Sequence, residues 1–192
     1  KKIKINDKFY TPPQSFIGEN YKLKVNKIVT NLKNLGADYQ FITSSENNAW
    51  LLNIRGNDSK YTPIPYSHIL IDKNKNINFF CNLKKISPSF KKTFDKIKFI
   101  NINFTNIILS EIYEKNIIID KNTCSLYYEN IILKNNTLLD NQDPIYALKA
   151  IKTNKEIENI KKAHIYDGAA LTKYLFWIKN NFLKKKITEI SA

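Results

Sequence analysis

No methionine, a single arginine, two cysteines, two histidines and four glycines occur in 192 residues. Without an initiator methionine, the sequence reads as a piece cut from a longer protein. The glycines stand apart at positions 18, 36, 56 and 168, so no Gly-rich phosphate loop exists. With six prolines they also exclude a collagen-like or low-complexity chain. Cys81 and Cys124 lie far apart with no second thiol nearby, which excludes a CxxC zinc or redox site. A reducing cytoplasm is the plainer setting for such a chain. No apolar run approaches the ~18 residues of a membrane span. Lys1 to Asp7 is basic without a hydrophobic segment behind it, unlike a secretory signal.

What is abundant is lysine. Lys+Arg 31 against Asp+Glu 17 gives a net charge of +14, which is a legitimate nucleic-acid footprint. Yet readers of bases and phosphates lean on the bidentate guanidinium, and Arg55 is the only one present. The lysines accompany a large excess of Asn and Ile, the trio that AT-rich codons supply. Solvated lysine faces explain the charge, and no nucleic-acid or membrane partner is expected. Conversely, a lone arginine in a lysine-rich chain points to a planar fork holding a carboxylate or several carbonyls.

Residues 1–14 read as a linker, stiffened by Pro12 and Pro13. Helical spacing of Leu23, Val25, Ile28, Val29, Leu32 and Leu35 predicts a helix from Glu19 to Leu35, stopped by Gly36. Asp38 to Thr43 predicts a strand, and Glu46 to Leu52 a short helix capped by Ser44 or Ser45. Asn53 to Pro65 is a polar loop. Ser67 to Asp72 and Asn76 to Cys81 predict a hairpin. Further strands are expected over 96–101, 116–120 and 133–139, with helices over 88–94, 105–114 and 123–130. Strands alternating with helices predict an α/β domain with a mixed sheet over 15–142.

After Asp140 the character changes. Asp143-Pro144 opens a helix, and Asn154 to Phe182 carries the longest helical pattern. Its stripe of Ile157, Ile160, His164, Leu171, Leu175, Ile178 and Phe182 is apolar enough to require a large partner. Neither His68 nor His164 has a carboxylate at metal-ligand spacing, and no serine lies in a nucleophile motif. No complete active site is legible.

Two segments carry a resemblance. Ser44-Ser45-Glu46-Asn47-Asn48-Ala49-Trp50-Leu51-Leu52-Asn53-Ile54-Arg55-Gly56-Asn57-Asp58 is similar to the "DEIAWLLNLRGSD" stretch of Xaa-Pro aminopeptidases, with Asn47 in place of an acidic residue. Pro144 to Asn154, Ala163 to Leu171, Trp177 and Thr188 to Ala192 resemble the family's "NPI…LKAIKN", "AHIRDGVAL" and "TEISA" elements. The resemblance implies a creatinase-like middle domain over 15–142. It also implies the first helices of a truncated pita-bread catalytic domain over 143–192. It implies a parent enzyme that removes the residue before proline from peptides with proline second, using two divalent ions, usually manganese, and dimerising through the missing catalytic domain. All the family's metal ligands lie beyond its TEISA element, so no catalytic or metal residue is assigned and the fragment is expected to bind none and to be inactive alone. Asn53, Arg55 and Asp58 are the candidate cleft-facing or loop-anchoring residues. The alternatives are a catalytically dead relative that binds peptides or proteins, and a basic nucleic-acid-binding domain.

Overall fold

The computed structural model describes residues 8–94, 96–184 and 186–190. Contacts divide the chain into two units, the first ending at Ile151 and the second starting at Lys152. The first unit holds six strands: β1 (Tyr39–Ile42), β2 (His68–Asp72), β3 (Ile77–Cys81), β4 (Ile97–Asn101), β5 (Asn116–Ile119) and β6 (Thr137–Asp140). Its helices are α1 (Tyr21–Asn34), α2 (Ser45–Leu52), α3 (Pro88–Lys92), α4 (Thr105–Ser110), α5 (Leu126–Leu133) and α6 (Ile145–Ala150). The strand order is β4-β3-β2-β1-β5-β6. β2 alone runs antiparallel to both neighbours, while β1–β5, β3–β4 and β5–β6 are parallel. The sheet is mixed, as expected. Five strands therefore end at one edge, where β2 begins.

The central strands are apolar on both faces because both are covered. Ile69, Ile71, Phe79 and Ile118 point into one core with Val25, Ile28, Val29 and Leu32 of α1 and Leu51 and Leu52 of α2. Phe41, Leu70, Phe80, Ile117 and Ile119 meet Leu109 of α4 and Ile132 of α5 on the other side. Strands sandwiched in this way read as unbroken hydrophobic runs rather than alternating ones. At the end of α1, Gly36 takes φ 64°, the left-handed turn that glycine enters without a Cβ penalty.

Some boundaries move. Leu133 ends α5 rather than opening a strand, and β6 starts only at Thr137. Helix 105–114 stops at Ser110, and helix 123–130 begins at Leu126. Asn136 explains much of this, since its Nδ2 donates to Ile112 O (2.8 Å) and Ile132 O (3.3 Å) at the two helix exits. On α1, Leu23 and Leu35 are exposed and Lys24 is buried instead. Of the expected linker, residues 1–7 lie outside the described residues. Phe9 is 3% exposed in the core, and Tyr10 pairs with Arg55 in a β-bridge.

The second unit is α7 (Asn154–Asn181) with the residues around it. Thr153 caps it, accepting from Glu156 N while the Glu156 carboxylate accepts from Thr153 N, a reciprocal capping box. None of its residues is buried, and Leu171, Leu175 and Phe182 of the apolar stripe stay exposed. Ser191 and Ala192 of the TEISA segment fall outside the described residues. No helix among them is long and apolar enough to cross a membrane.

Asp38 ties three elements together. It accepts from Lys73 Nζ (2.7 Å) and from Asn116 N (3.1 Å), and these bonds hold its carboxyl below the usual 3.8. A depressed carboxylate pKa stabilises the fold above 3.8, and that stability is lost as pH falls through the lower folded value. Asp38→Asn is expected to cost less than about 1 kcal/mol at pH 7. In paired urea melts the gap to the parent chain should close on acidification below 3.8.

Candidate functional site

The loop after α2 is held from its first residue. Asn53 turns left-handed (φ 55°) to end the helix. Its Nδ2 donates to Glu19 O (2.9 Å), and its Oδ1 accepts from Lys24 Nζ (2.7 Å). Lys24 also donates to Trp50 O (2.8 Å) and sits 4.0 Å from the Trp50 ring centroid. A buried ammonium thus faces the carbonyl end of α2, where the helix dipole favours positive charge. Arg55 Nη1 donates to Ala49 O (2.9 Å) and Ile54 O (3.0 Å), and burial lowers its pKa. Asp58 accepts from Tyr66 N (2.7 Å) and pairs with the buried Lys85. All three sequence candidates therefore bond to the protein's own backbone or side chains. Arg55 grips carbonyls, one of the two partners expected of a guanidinium here.

Two substitutions probe this loop. At Gly56 an added Cβ would stand 2.8 Å from the Phe9 ring and 3.1 Å from Pro65 Cα. Phe9 is buried and cannot swing away, so Gly56→Ala should cost about 2 kcal/mol by overpacking, read from chemical denaturation. Arg55→Lys exchanges a fixed fork for a point charge. It should cost about 1 kcal/mol, more than an exposed lysine replacement.

A second polar cluster lies at the strand ends. Asp143, 3% exposed, accepts from Asn47 Nδ2 (2.7 Å), Gln40 Nε2 (3.1 Å) and Ile145 N (3.1 Å). Its own N–H donates to Asp120 Oδ2 (3.0 Å). Burial is the chief cause of its raised pKa. Lys149 Nζ donates to Asn47 Oδ1 (2.6 Å) from the next turn. Asn47, where the resembling stretch has an acid, thus bridges an anion and a cation: its amide supplies a donor to one and an acceptor to the other. Residues 143–150 are fastened in this way to α2 and β1. In the sequence, Asp143 stands only at a helix opening with Pro144, and nothing in its neighbours signals burial.

The remaining chemical groups are quiet. Burial pushes the Cys81 thiol up to about 12 and Cys124 to about 11, so neither offers a thiolate. His68 is buried at the head of β2, and His164 is exposed on α7. Among the described residues no three of His, Cys, Asp and Glu come together as metal ligands. These residues do not fit a two-metal centre.

A model of the creatinase/prolidase N-terminal domain matches residues 2–156. The chain belongs to the creatinase/prolidase N-terminal domain family. Its relatives include Xaa-Pro aminopeptidase 1 of Dictyostelium discoideum, 29% identical over 173 residues that cover 88% of this chain and 27% of that protein. Xaa-Pro aminopeptidase 2 of Rattus norvegicus is 24% identical over 202 residues, covering 95% and 29%. This creatinase/prolidase N-terminal chain spans under a third of either relative's length. The X-prolyl aminopeptidase of Caenorhabditis elegans, described as a cytosolic enzyme with a di-nuclear active site, has a similar structure. It matches with a TM-score of 0.80 at 22% identity, over 94% of this chain and 30% of its own. An Xaa-Pro dipeptidase from Bacillus anthracis matches at 0.57 and 16%, over 83% and 44%. At these identities the structures establish a shared fold. The family model also runs past Asp143, as the contacts of residues 143–151 do.

Proposed function

We propose that this chain is the middle domain and the start of the catalytic domain of a metal-dependent Xaa-Pro aminopeptidase, which removes the N-terminal residue from peptides with proline in second position. One observation carries the reading: relatives bearing that name align with 88% and 95% of the chain, beyond the family domain and into the long helix. Residues 15–142 form its creatinase-like middle domain. Residues 143–192 open the catalytic part, with Asp143 and Lys149 clamping that opening onto the middle domain. Two divalent ions, manganese by preference, bind in the complete enzyme, on residues other than those described here. The complete enzyme is a cytoplasmic homodimer, joined through its catalytic portion. In this scheme Asn53, Arg55 and Asp58 hold a rigid loop and do not touch the reacting atoms.

The test is metal content and reactivation. The complete protein, purified without chelator, should carry about two divalent ions per chain and lose peptide cleavage on chelation. Manganese should restore it. A protein that cleaves Xaa-Pro peptides with no bound metal, or that never cleaves them with manganese present, contradicts the proposal.

A further inference from the structure

Parallel strands in α/β folds commonly place ligands at the edge where they end. At that edge of this sheet, where β2 begins, a shallow cavity of about 340 Å³ lies wide open to solvent. Tyr66, His68, Tyr127 and Tyr128 line it, with Ile102, Asn103 and Asn106. Successive ring centroids lie 6.0 Å (Tyr66–His68), 5.3 Å (His68–Tyr128) and 5.2 Å (Tyr128–Tyr127) apart. The planes meet at 61°, 75° and 65°, so each ring packs edge-to-face on the next and the four form one continuous, ridged aromatic surface.

Three features mark this as a binding surface. Tyr66 and Tyr127 are 63% and 58% exposed, so two large rings stand in water beside the opening. His68, only 7% exposed, lines the cavity with its Nδ1 lacking a hydrogen-bond partner. A buried nitrogen in that state is uncommon in a finished core. Finally, no Asp, Glu, Lys or Arg lines the cavity among the described residues, in a chain with 31 basic and 17 acidic side chains.

We propose that this cavity binds an uncharged, proline-rich peptide segment in the polyproline II conformation. Such a segment makes no internal hydrogen bonds, so its carbonyls seek donors. The Asn103 and Asn106 amides and the tyrosine hydroxyls supply them. Proline rings pack on the exposed faces of such aromatic side chains, and the stiff segment loses little entropy on docking. A nucleotide is disfavoured because no cation meets its phosphate. Burial lowers the His68 pKa, so the imidazole is neutral at pH 7 and keeps the lining uncharged. The inference goes beyond peptide cleavage and does not depend on it.

The probe is N-acetylated hexaproline amide, which has no free amine and so cannot be an aminopeptidase substrate. Titrated into the full chain, it should shift the NMR resonances of the His68 and Tyr127 rings saturably. An acetylated Gly-Ser peptide of equal length should leave them unmoved. A Tyr66→Ser/Tyr127→Ser double variant removes two exposed rings, retains the parent's urea midpoint and should bind at least about tenfold more weakly. Absence of shifts at millimolar probe, undiminished affinity in the double variant, or shifts from a methyl glycoside but none from hexaproline would each overturn the assignment.

Discussion

Replacing Asp143 with alanine should lower the stability of the first unit by about 3 kcal/mol, since three buried donors lose their acceptor. Asn47 Nδ2, Gln40 Nε2 and Ile145 N all point at this carboxylate, and it is 3% exposed, so water does not replace it at no cost. Trp50 fluorescence in a Trp177→Phe background reports the first unit in a urea titration. Amide exchange over 145–150 should quicken more than exchange over β1, because α6 loses its tether. The pH dependence has a definite sign. Burial raises the Asp143 pKa above 3.8, so its contribution is fully present below 3.8 and is lost as pH rises through the folded value. Relative to Asp143→Asn, the parent chain should therefore lose ground as pH climbs from 3.8 towards neutrality, the opposite of the Asp38 trend. Equal pH profiles for the two chains would mean that the carboxylate is not desolvated.

Lys24→Ala is the second large effect, again about 3 kcal/mol. The ammonium makes two charge-assisted hydrogen bonds, each worth roughly 1.5–3 kcal/mol, and lies against the Trp50 ring. Its removal strands Trp50 O and Asn53 Oδ1 beside the core. Lys24→Met restores the aliphatic stem but not the donors, and should recover less than half of the loss. If methionine fully restored stability, packing of the stem would be the whole contribution and the helix-end bonds would be idle. The same urea titration, followed at Trp50, separates the two outcomes.

The legible parts of this fold are those where a short-range pattern and burial coincide. Val25, Ile28, Val29 and Leu32 are spaced for one helix face, and all four are buried. Strands such as β2 and β5 are dense in Ile because both faces are covered, and density is visible in a sequence. Gly36 marks a helix end by local chemistry alone. Lys24 was illegible because a long amphipathic side chain sits on either side of a surface with equal ease. Its burial is matched by acceptors from residues distant in sequence, Trp50 O and the Oδ1 of the left-handed Asn53. Leu23 looked like core by type yet falls off the α1 face by angle. The Asp143 cluster joins residues about a hundred positions apart, and no window of sequence contains both ends. The motif around Asn53 to Asp58 was visible through its resemblance, but its partners Lys24, Lys85 and Glu19 were not.

Under the proposed function, this domain supplies scaffold and cleavage belongs to the remainder of the protein. Release of the first residue from an Xaa-Pro tripeptide, with an Xaa-Ala tripeptide as control, measures that division directly. With manganese present, the complete protein should hydrolyse the proline peptide and spare the alanine one, and the 192-residue chain should hydrolyse neither. Turnover of the proline peptide by the 192-residue chain alone would contradict it.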